Sequence, residues 1–489
     1  MIYGGLDIGT TGSKLTVFDD YAQKERFYLN YPSKRDDNGH EIDANIIYET
    51  VIQLLKIAVQ KYQITAIGIT SFGETFVLLD KFDNILFPSL LYTDPRGNKE
   101  ALYLERKIGK KKLGEKTGQV GQGMFSLPKL MYIKKHYKSI YKNVDKVLLI
   151  EDFIVYKLTG IRQIDYSLAS RTLAFDVNKR EWSKEILDAA GVDENLFSKP
   201  VPIGSIAGNI EQSLKNELGL KNDIKIINIS HDQIANAIGG GVLSYGTAID
   251  GCGTCECLTM TYQDIPNDKD IYECGYGVIP YIKDNYNVSY ALINTGGALV
   301  EWIINTYFSD LKGKEKCFDI LNNNILNHPT NVMILPHFAG ASTPYMDPFA
   351  LGTITNLNLG TNRYEIYQAC LESLSYEMLI SINKLKKMGI NINEIYASGG
   401  GAKNDAWLQI KANIFNIPIH QLKNNDTGTI GSAIVVGHVI GLFSSYEDGV
   451  NKLTKVKKTF YPDVFKHQEY MKIFKKYQLI YERMKKVRI

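Results

Sequence analysis

Two segments written in the same grammar, half a chain apart, limit what this sequence can fold into. The first is Gly4-Gly5-Leu6-Asp7-Ile8-Gly9-Thr10-Thr11-Gly12-Ser13-Lys14-Leu15-Thr16-Val17-Phe18; the second is Thr247-Ala248-Ile249-Asp250-Gly251-Cys252-Gly253-Thr254-Cys255-Glu256-Cys257-Leu258. Each sets an aspartate before a Gly/Thr turn between β-prone flanks, the pattern of a hairpin. Asp7 and Asp250 stand about 243 residues apart, nearly half of the 489-residue chain, which points to one domain plan used twice or to two unrelated hairpins. Strand and helix patterns alternate in both halves. Residues 45–62 read as an amphipathic helix before the strand 66–70, and residues 365–388 as a helix before the strand 394–398. The expectation is an α/β fold of central sheets covered by helices, divided into a lobe at 1–245 and a lobe at 246–489, with the glycines at 239–241 and 246 as cap and hinge. The amphipathic pattern from Tyr470 to Met484 reads as one last helix with a solvated lysine face.

Composition narrows the function classes. Lys and Arg total 56 against 53 Asp and Glu, a net charge of +3 that gives no nucleic-acid footprint. Six cysteines are too few for a disulfide-built secreted fold, so a reducing cytoplasmic setting is expected. The start of the chain lacks the charged and apolar regions of a signal peptide, and no window approaches the ~18 apolar residues of a membrane span. Neither nucleic acid nor membrane is an expected partner.

The glycine-rich turns suit a ligand with several anionic oxygens, because glycine admits close approach to backbone N–H groups and Thr10, Thr11, Ser13 and Thr254 add hydroxyl donors. Asp7 would repel phosphate but can hold Mg²⁺ beside it. No Walker loop occurs at either turn. Two further clusters, Asn294-Thr295-Gly296-Gly297-Ala298 and Ser398-Gly399-Gly400-Gly401-Ala402, stand where strands give way to helices, the usual ligand-binding edge of an open α/β sheet. The run Ile226-Ile227-Asn228-Ile229-Ser230-His231-Asp232-Gln233 carries an apolar strand into a helix start, where Asp232 is either a helix cap, the ordinary reading of such a residue, or a base kept ionised by the helix dipole. His231 reads as a scaffold residue or a second base. Glu74, Asp94 and Arg96 follow strand ends in the first half and could hydrogen-bond a polyol, with an Asp94–Arg96 ion pair as the plainer alternative. Cys252, Cys255 and Cys257 lack the second knuckle of a structural zinc site, and Cys255 and Cys257, alternating on a strand, read as small core residues.

Taken in order, these residues resemble the FGGY carbohydrate kinases over nearly the whole chain. Asp7 to Lys14 is similar to the family's first phosphate motif and Gly253-Thr254 to its second. Phe125-Ser126-Leu127-Pro128-Lys129-Leu130-Met131-Tyr132 resembles one signature, with Tyr132 where Trp is usual. Gly352-Thr353-Ile354-Thr355-Asn356-Leu357 with Glu365, Ile366 and Ala369 to Glu372 resembles the other, with Asn356 where Gly is usual. Leu158-Thr159-Gly160, Asp165 to Ser170 and Trp182 fit the region between.

The resemblance implies a duplicated actin-like fold with a nucleotide cleft between two lobes, a sugar site in the N-terminal half, and ATP with Mg²⁺ as cofactors. It implies that Asp232 is the catalytic base, against the local preference for a cap. It further implies that Thr254, Gly297, Glu301, Gly400, Gly401 and Asn404 contact ATP, with Thr10, Thr11 and Ser13 at the phosphates and Asp7 at the metal. Glu74, Asp94, Arg96 and Gln233 fall on the substrate side. The expected activity is ATP-dependent phosphorylation of a sugar, a ketopentose such as xylulose by analogy, with gluconate, L-fuculose or glycerol as alternatives and a homodimer as the assembly considered. Ser71-Phe72-Gly73-Glu74 lacks the His of a typical xylulokinase and the Arg of glycerol kinases, and the 250–256 turn departs from the common Ser-x-Gly-Thr form. A chaperone of the same plan would need an appended domain, and a sugar-responsive regulator would be expected to add a helix-turn-helix or lose Asp232.

Overall fold

The computed structural model describes residues 1–37, 39–424 and 426–488. The chain forms two compact units, Met1–Leu243 with Gly277–Val288 and Asp426–Thr454, and Ser244–Tyr276 with Ser289–Asn425 and Lys455–Ile489. The assignment of all of 246–489 to one C-terminal lobe is therefore corrected: two later segments return to unit 1. The reason lies in the helix that the second of them carries.

Unit 1 is built on a six-stranded sheet. Its strands are β1 (Ile2–Ile8), β2 (Gly12–Asp19), β3 (Ala22–Asn30), β4 (Ala66–Ser71), β5 (Ile206–Asn209) and β6 (Lys225–His231), in the order β5-β6-β4-β1-β2-β3. β1 pairs antiparallel with β2 and parallel with β4, and β6 runs parallel to β4. In unit 2 the strands β7 (Thr247–Cys252), β8 (Glu256–Tyr262), β9 (Asn287–Ile293), β10 (Glu394–Ser398), β11 (Ile419–Leu422) and β12 (Val456–Phe460) run in the order β9-β8-β7-β10-β11-β12. β7 pairs antiparallel with β8 and parallel with β10, and β10 is parallel to β11. The two aspartate-bearing hairpins thus hold the same place in two sheets of one plan. Duplication accounts for both, and unrelated hairpins do not.

Side chains alternate across a strand, so the two faces of β1 have different duties. Leu6 and Ile8 bury against helix α1 (Ala44–Lys61), whose Ile47, Val51, Leu54, Leu55 and Ala58 repeat at helical spacing and share one apolar cluster with them. α1 starts on Asp43, whose carboxylate accepts the Asn45 N–H at 2.8 Å. On the other face, Gly5 and Gly68 make a notch. A Cβ on Gly5 would lie 2.6 Å from the Thr429 carbonyl oxygen and one on Gly68 2.6 Å from Val436. The helix that fills the notch is α8 (Thr427–Val439), buried without interruption from Thr427 to Gly437.

α8 also packs on α4 (Asp232–Gly239), again backbone to backbone. A Cβ on Gly431 would fall 2.0 Å from the Ala235 carbonyl oxygen, and one on Gly239 1.9 Å from that of Thr427. Such a helix cannot stand alone in water, because its apolar surface has no polar side to turn outward. That is why residues 426–454 belong to unit 1.

Two shorter helices of unit 1 matter for the site, α2 (Ile150–Thr159) and α3 (Tyr166–Ala169). In unit 2, α5 (Gly296–Tyr307), α6 (Arg363–Lys387) and α7 (Asp405–Phe415) cover the sheet, α6 opening on a capping box of Asn362 and Glu365. The expected last helix is two, α9 (Val464–Tyr477) and α10 (Ile480–Lys485). The Tyr477 hydroxyl donates to Glu377 at 2.7 Å and the Tyr481 hydroxyl to Asp347 at 2.9 Å, so the chain turns between them to seat both rings. No helix among the described residues is long and apolar enough to cross a membrane.

The helix crossing yields a stability test. Gly431→Val should lower the unfolding free energy by about 1–3 kcal/mol or more, since its side chain meets backbone that cannot yield. Gly400→Ala, with nothing within 4 Å of the added Cβ, should leave the melting temperature unchanged.

Candidate active site

Asp232 is the first residue of α4, directly after β6. The cap position falls on His231, without a side-chain cap bond, so the Asp232 carboxyl is not consumed in capping. Its side chain keeps 26% of its surface open. Burial, then the negative charges of Asp7 and Glu74, push it up to about 7, against the Gln233 N–H and Arg171. His231 Nε2 lies 3.2 Å from Asp232 Oδ1. Burial and the Arg171 charge hold this imidazole well below its usual range, so it stays neutral beside Asp232.

Of the charged side chains in unit 1, Asp7, Glu74 and Arg171 act on Asp232. Glu74 is buried with φ of 63°, a left-handed backbone uncommon for a residue with a side chain. Its Oε1 accepts Arg171 Nε at 2.6 Å and also Arg171 Nη2, while Oε2 takes no hydrogen bond among the described residues. Gly73 lets this turn pass close by: a Cβ there would stand 3.0 Å from Arg171 Cγ and 3.1 Å from His231 Cδ2. Gln233, half-buried, follows Asp232 on the first turn of α4.

Asp94 and Arg96 form the ion pair that sequence offered as the plainer alternative. Asp94 accepts Arg96 Nε at 2.9 Å, Arg96 Nη2 at 2.6 Å and the His40 N–H at 2.7 Å, and Arg96 Nη2 also donates to Glu41 at 2.7 Å. Burial alone would raise the Asp94 carboxyl; these donors overcome it and hold it low. Lys129, fully buried, donates to the carbonyls of Leu91 and Met124 at 2.8 Å and is pushed down to about 8 by burial, with Glu74 and Asp94 opposing.

The β1–β2 turn lies in the same unit. Lys14 bridges Asp7 at 2.7 Å and Asp426 at 3.0 Å, and Arg26 meets Asp426 at 3.1 Å. Burial disfavours the Lys14 charge, yet the two carboxylates outweigh it and keep the ammonium charged. Thr10 is half-buried and Thr11 exposed at the turn. Ser13 is fully buried with its hydroxyl 3.3 Å from that of Tyr31, which donates to the Gly9 carbonyl at 2.5 Å. Ser13 therefore braces the turn from beneath.

A Cβ on Gly428 would stand 3.0 Å from Asp7 Oδ2 and 3.4 Å from Asn236 Oδ1. The Asp7 carboxylate and the Asn236 amide oxygen thus both lie near Gly428, and they are the hard oxygen donors that Mg²⁺ takes, one or two from protein with the rest from water. Among the described residues no three His, Cys, Asp or Glu are grouped to cage a metal.

In unit 2 the other candidate residues collect at the carboxyl ends of β7 and β10. The Gly297 N–H donates to the Gly253 carbonyl at 2.8 Å and the Ala298 N–H to that of Thr254 at 3.1 Å, so the start of α5 rests on the exposed Thr254 turn. Glu301 is exposed one turn further along α5. Gly399 has φ of +89°, and a Cβ on Gly401 would meet Trp407 at 2.6 Å and Cys252 at 2.9 Å, whereas Gly400 faces open space. Asn404 caps α7, accepting the Trp407 N–H at 3.2 Å and donating to Tyr367 at 3.0 Å. Beneath these turns Lys411, wholly buried, meets Asp250 at 2.5 Å and Glu256 at 3.0 Å, with Cys252 Sγ at 3.2 Å. The reading of Cys255 as a core residue is corrected: it lies before the strand and is exposed, with Sγ 3.2 Å from the Asn294 carbonyl oxygen, while Cys257 is half-buried, 3.9 Å from Thr259 Oγ1.

Sequence reading overlooked Arg171, Asn236, Asp426 and Lys411. Each is an isolated polar residue within or beside a helix, and only the fold brings it to its partner. Asp426 carried the one usable signal, a helix start followed by Thr427-Gly428-Thr429.

Residues 2–239 match the N-terminal domain of the FGGY family of carbohydrate kinases, and residues 252–439 match its C-terminal domain. The xylulose kinase of Staphylococcus xylosus is 27% identical over 485 residues, spanning 98% of this chain and 99% of that protein. The glycerol kinase of Saccharolobus islandicus strain M.14.25 is 29% identical over 476 residues, spanning 94% and 92%. Among solved structures, a xylulose kinase from Lactobacillus acidophilus with bound ligand superposes with a TM-score of 0.91 at 22% identity, covering 99% of this chain and 98% of that one. The gluconate kinase of the same organism gives 0.90 at 22%, with the same coverage. These structural likenesses speak to the fold. With both domains matched in order on a duplicated α/β fold, the chain belongs to the FGGY family of carbohydrate kinases and is a phosphotransferase.

Proposed function

We propose that this sugar kinase transfers the γ-phosphoryl group of ATP to a hydroxyl of a ketopentose, with xylulose as the first acceptor to test. The observation that carries the mechanism is the Asp232 carboxyl: partly open, beside a neutral His231, and raised to about 7 by burial and by Asp7 and Glu74. A group poised near neutrality accepts a proton efficiently at cellular pH. Asp232 takes the acceptor's hydroxyl proton as that oxygen attacks the γ-phosphorus, and the bond from phosphorus to the ADP oxygen breaks. His231 holds the carboxylate in place. Glu74, fixed through Oε1 by Arg171, turns its second oxygen to an acceptor hydroxyl. Asp94 has its oxygens occupied, so it acts on the acceptor by holding Arg96 in position.

Thr10, Thr11 and the backbone of the 9–12 turn donate to phosphate oxygens, and Thr254, Gly297, Glu301, Gly400, Gly401 and Asn404 serve the nucleotide. Asp7, with Asn236 next to it, would hold Mg²⁺, whose charge offsets that of the phosphates. Much of the rate enhancement in such a reaction is positioning and electrostatics, which this arrangement of fixed charges supplies. The ketopentose reading is supported by the xylulose kinases that align with nearly the whole chain; gluconate and glycerol kinases are also similar to it.

Acceptor-dependent ADP release on a panel of pentuloses, hexuloses, glycerol, gluconate and L-fuculose tests the substrate. The greatest kcat/KM is expected with a ketopentose, and a preference for glycerol or gluconate would replace that assignment. Asp232→Asn should lower kcat by about 10²–10⁴ with ATP still bound; near-normal turnover would remove Asp232 from the base role. In the wild type kcat/KM should rise with pH to a plateau through about pH 7, because the base must be ionised.

The same shift has a stability sign. The folded-state value lies above the unfolded value of about 3.9, so the folded state binds the proton more tightly and stability falls as pH rises between the two. Asp232→Asn should therefore melt above the wild type at pH 8, with a smaller gap at pH 5.

A further inference from the structure

The strand that delivers Asp232 is irregular where regularity would be expected. Along β6, Asn228 pairs with Ile69 and Ser230 with Thr70, so Ile229 has no opposite residue and forms a bulge two residues before His231. A bulge bends its strand, re-aims the residues after it and leaves backbone groups outside the ladder. Here two of those groups are taken by buried side chains from outside the sheet. Glu151 Oε1, from α2, accepts the Ile229 N–H at 3.0 Å. Ser167 Oγ, from α3, accepts the His231 N–H at 2.9 Å.

Ser167 is itself locked: its hydroxyl donates to Asp165 Oδ1 at 2.5 Å and its N–H to the same oxygen at 2.7 Å. The Thr70 hydroxyl donates to the Ser230 carbonyl at 2.5 Å, so both edges of the bulge are held. Glu151, Asp165 and Ser167 are all wholly buried. Two carboxyls placed there without a basic partner among the described residues are costly, and stability alone would be served as well by apolar residues on a regular strand.

We propose that Glu151 and the Asp165–Ser167 pair are positioning residues for phosphoryl transfer: they take the two backbone N–H groups at the bulge and so fix where Asp232 leaves the sheet. This rests on the reading of Asp232 as the base. Glu151 acts as a neutral acid, since burial and the neighbouring Asp165 charge keep its proton on. A glutamine has the shape of that neutral acid and can accept the Ile229 N–H through its oxygen.

The test compares Glu151→Gln, Glu151→Ala and Ser167→Ala with the wild type, with kcat normalised to folded protein. Glu151→Ala and Ser167→Ala should lose about tenfold to a hundredfold in kcat, with KM for ATP and acceptor within about threefold, because a displaced base affects the transition state more than binding. Glu151→Gln should stay within about threefold of the wild type. Amide exchange at Ile229 and His231 should quicken in Glu151→Ala and Ser167→Ala respectively.

Normal kcat in both alanine variants, or a glutamine variant as impaired as the alanine one, overturns the proposal. If Glu151→Ala does not fold, Ser167→Ala and Glu151→Gln decide the matter by the same criteria. A wild type that releases no ADP with any acceptor overturns the kinase reading itself, a result distinct from an active wild type with indifferent variants.

Discussion

Unit 1 depends on a backbone-to-backbone contact. α8 lies so close to α4 and β1 that Gly5, Gly239 and Gly431 have no room for a methyl group. This closeness sets the distance between the start of α4, which carries Asp232, and the end of β1, which carries Asp7. Asn236 on α4 and Gly428 at the start of α8 then fall beside Asp7, so the helix contact and the placing of these oxygens are two ends of one piece of packing. The Thr427 hydroxyl, donating to Asn236 Oδ1 at 2.8 Å, ties the two helices at that end.

Duplication gives each unit an aspartate at the end of its first strand, but the surroundings have diverged. Asp7 shares Lys14 with Asp426 beside the turn, where 24% of the lysine side chain remains exposed. Asp250 meets Lys411 with no exposure of either. Removing a partner from a sealed pair strands a buried charge, while a pair at a rim can rearrange around a ligand. One plan thus supplies a carboxylate in a half-open pair in unit 1 and a sealed anchor beneath the glycine-rich turns in unit 2.

Much of this was legible in the sequence because it rests on local rules. The hairpins at Asp7 and Asp250 are written in glycine and threonine. α1 and α6 declare themselves by apolar spacing, and the run from Ile226 to Gly239 reads as a strand entering a helix. What sequence hid depends on distance along the chain. Arg171 reaches Glu74 across about a hundred residues, and Asp426 reaches Lys14 across more than four hundred. The bulge at Ile229 has no sequence mark, since an extra apolar residue in an apolar strand looks like any other. The single last helix failed for a related reason: its spacing is continuous, but Tyr477 and Tyr481 answer to different partners.

The return of residues 426–454 to unit 1 bears on how the protein is made. A ribosome emits the chain from its N-terminus, and domains often fold as they emerge. This one cannot cover its first sheet that way, because the helix that fills the notch at Gly5 and Gly68 is encoded after most of unit 2. The face of β1 opposite α1 stays uncovered through most of synthesis. That face closes only once residues 427–439 have been made, so the late segment sets when unit 1 becomes complete.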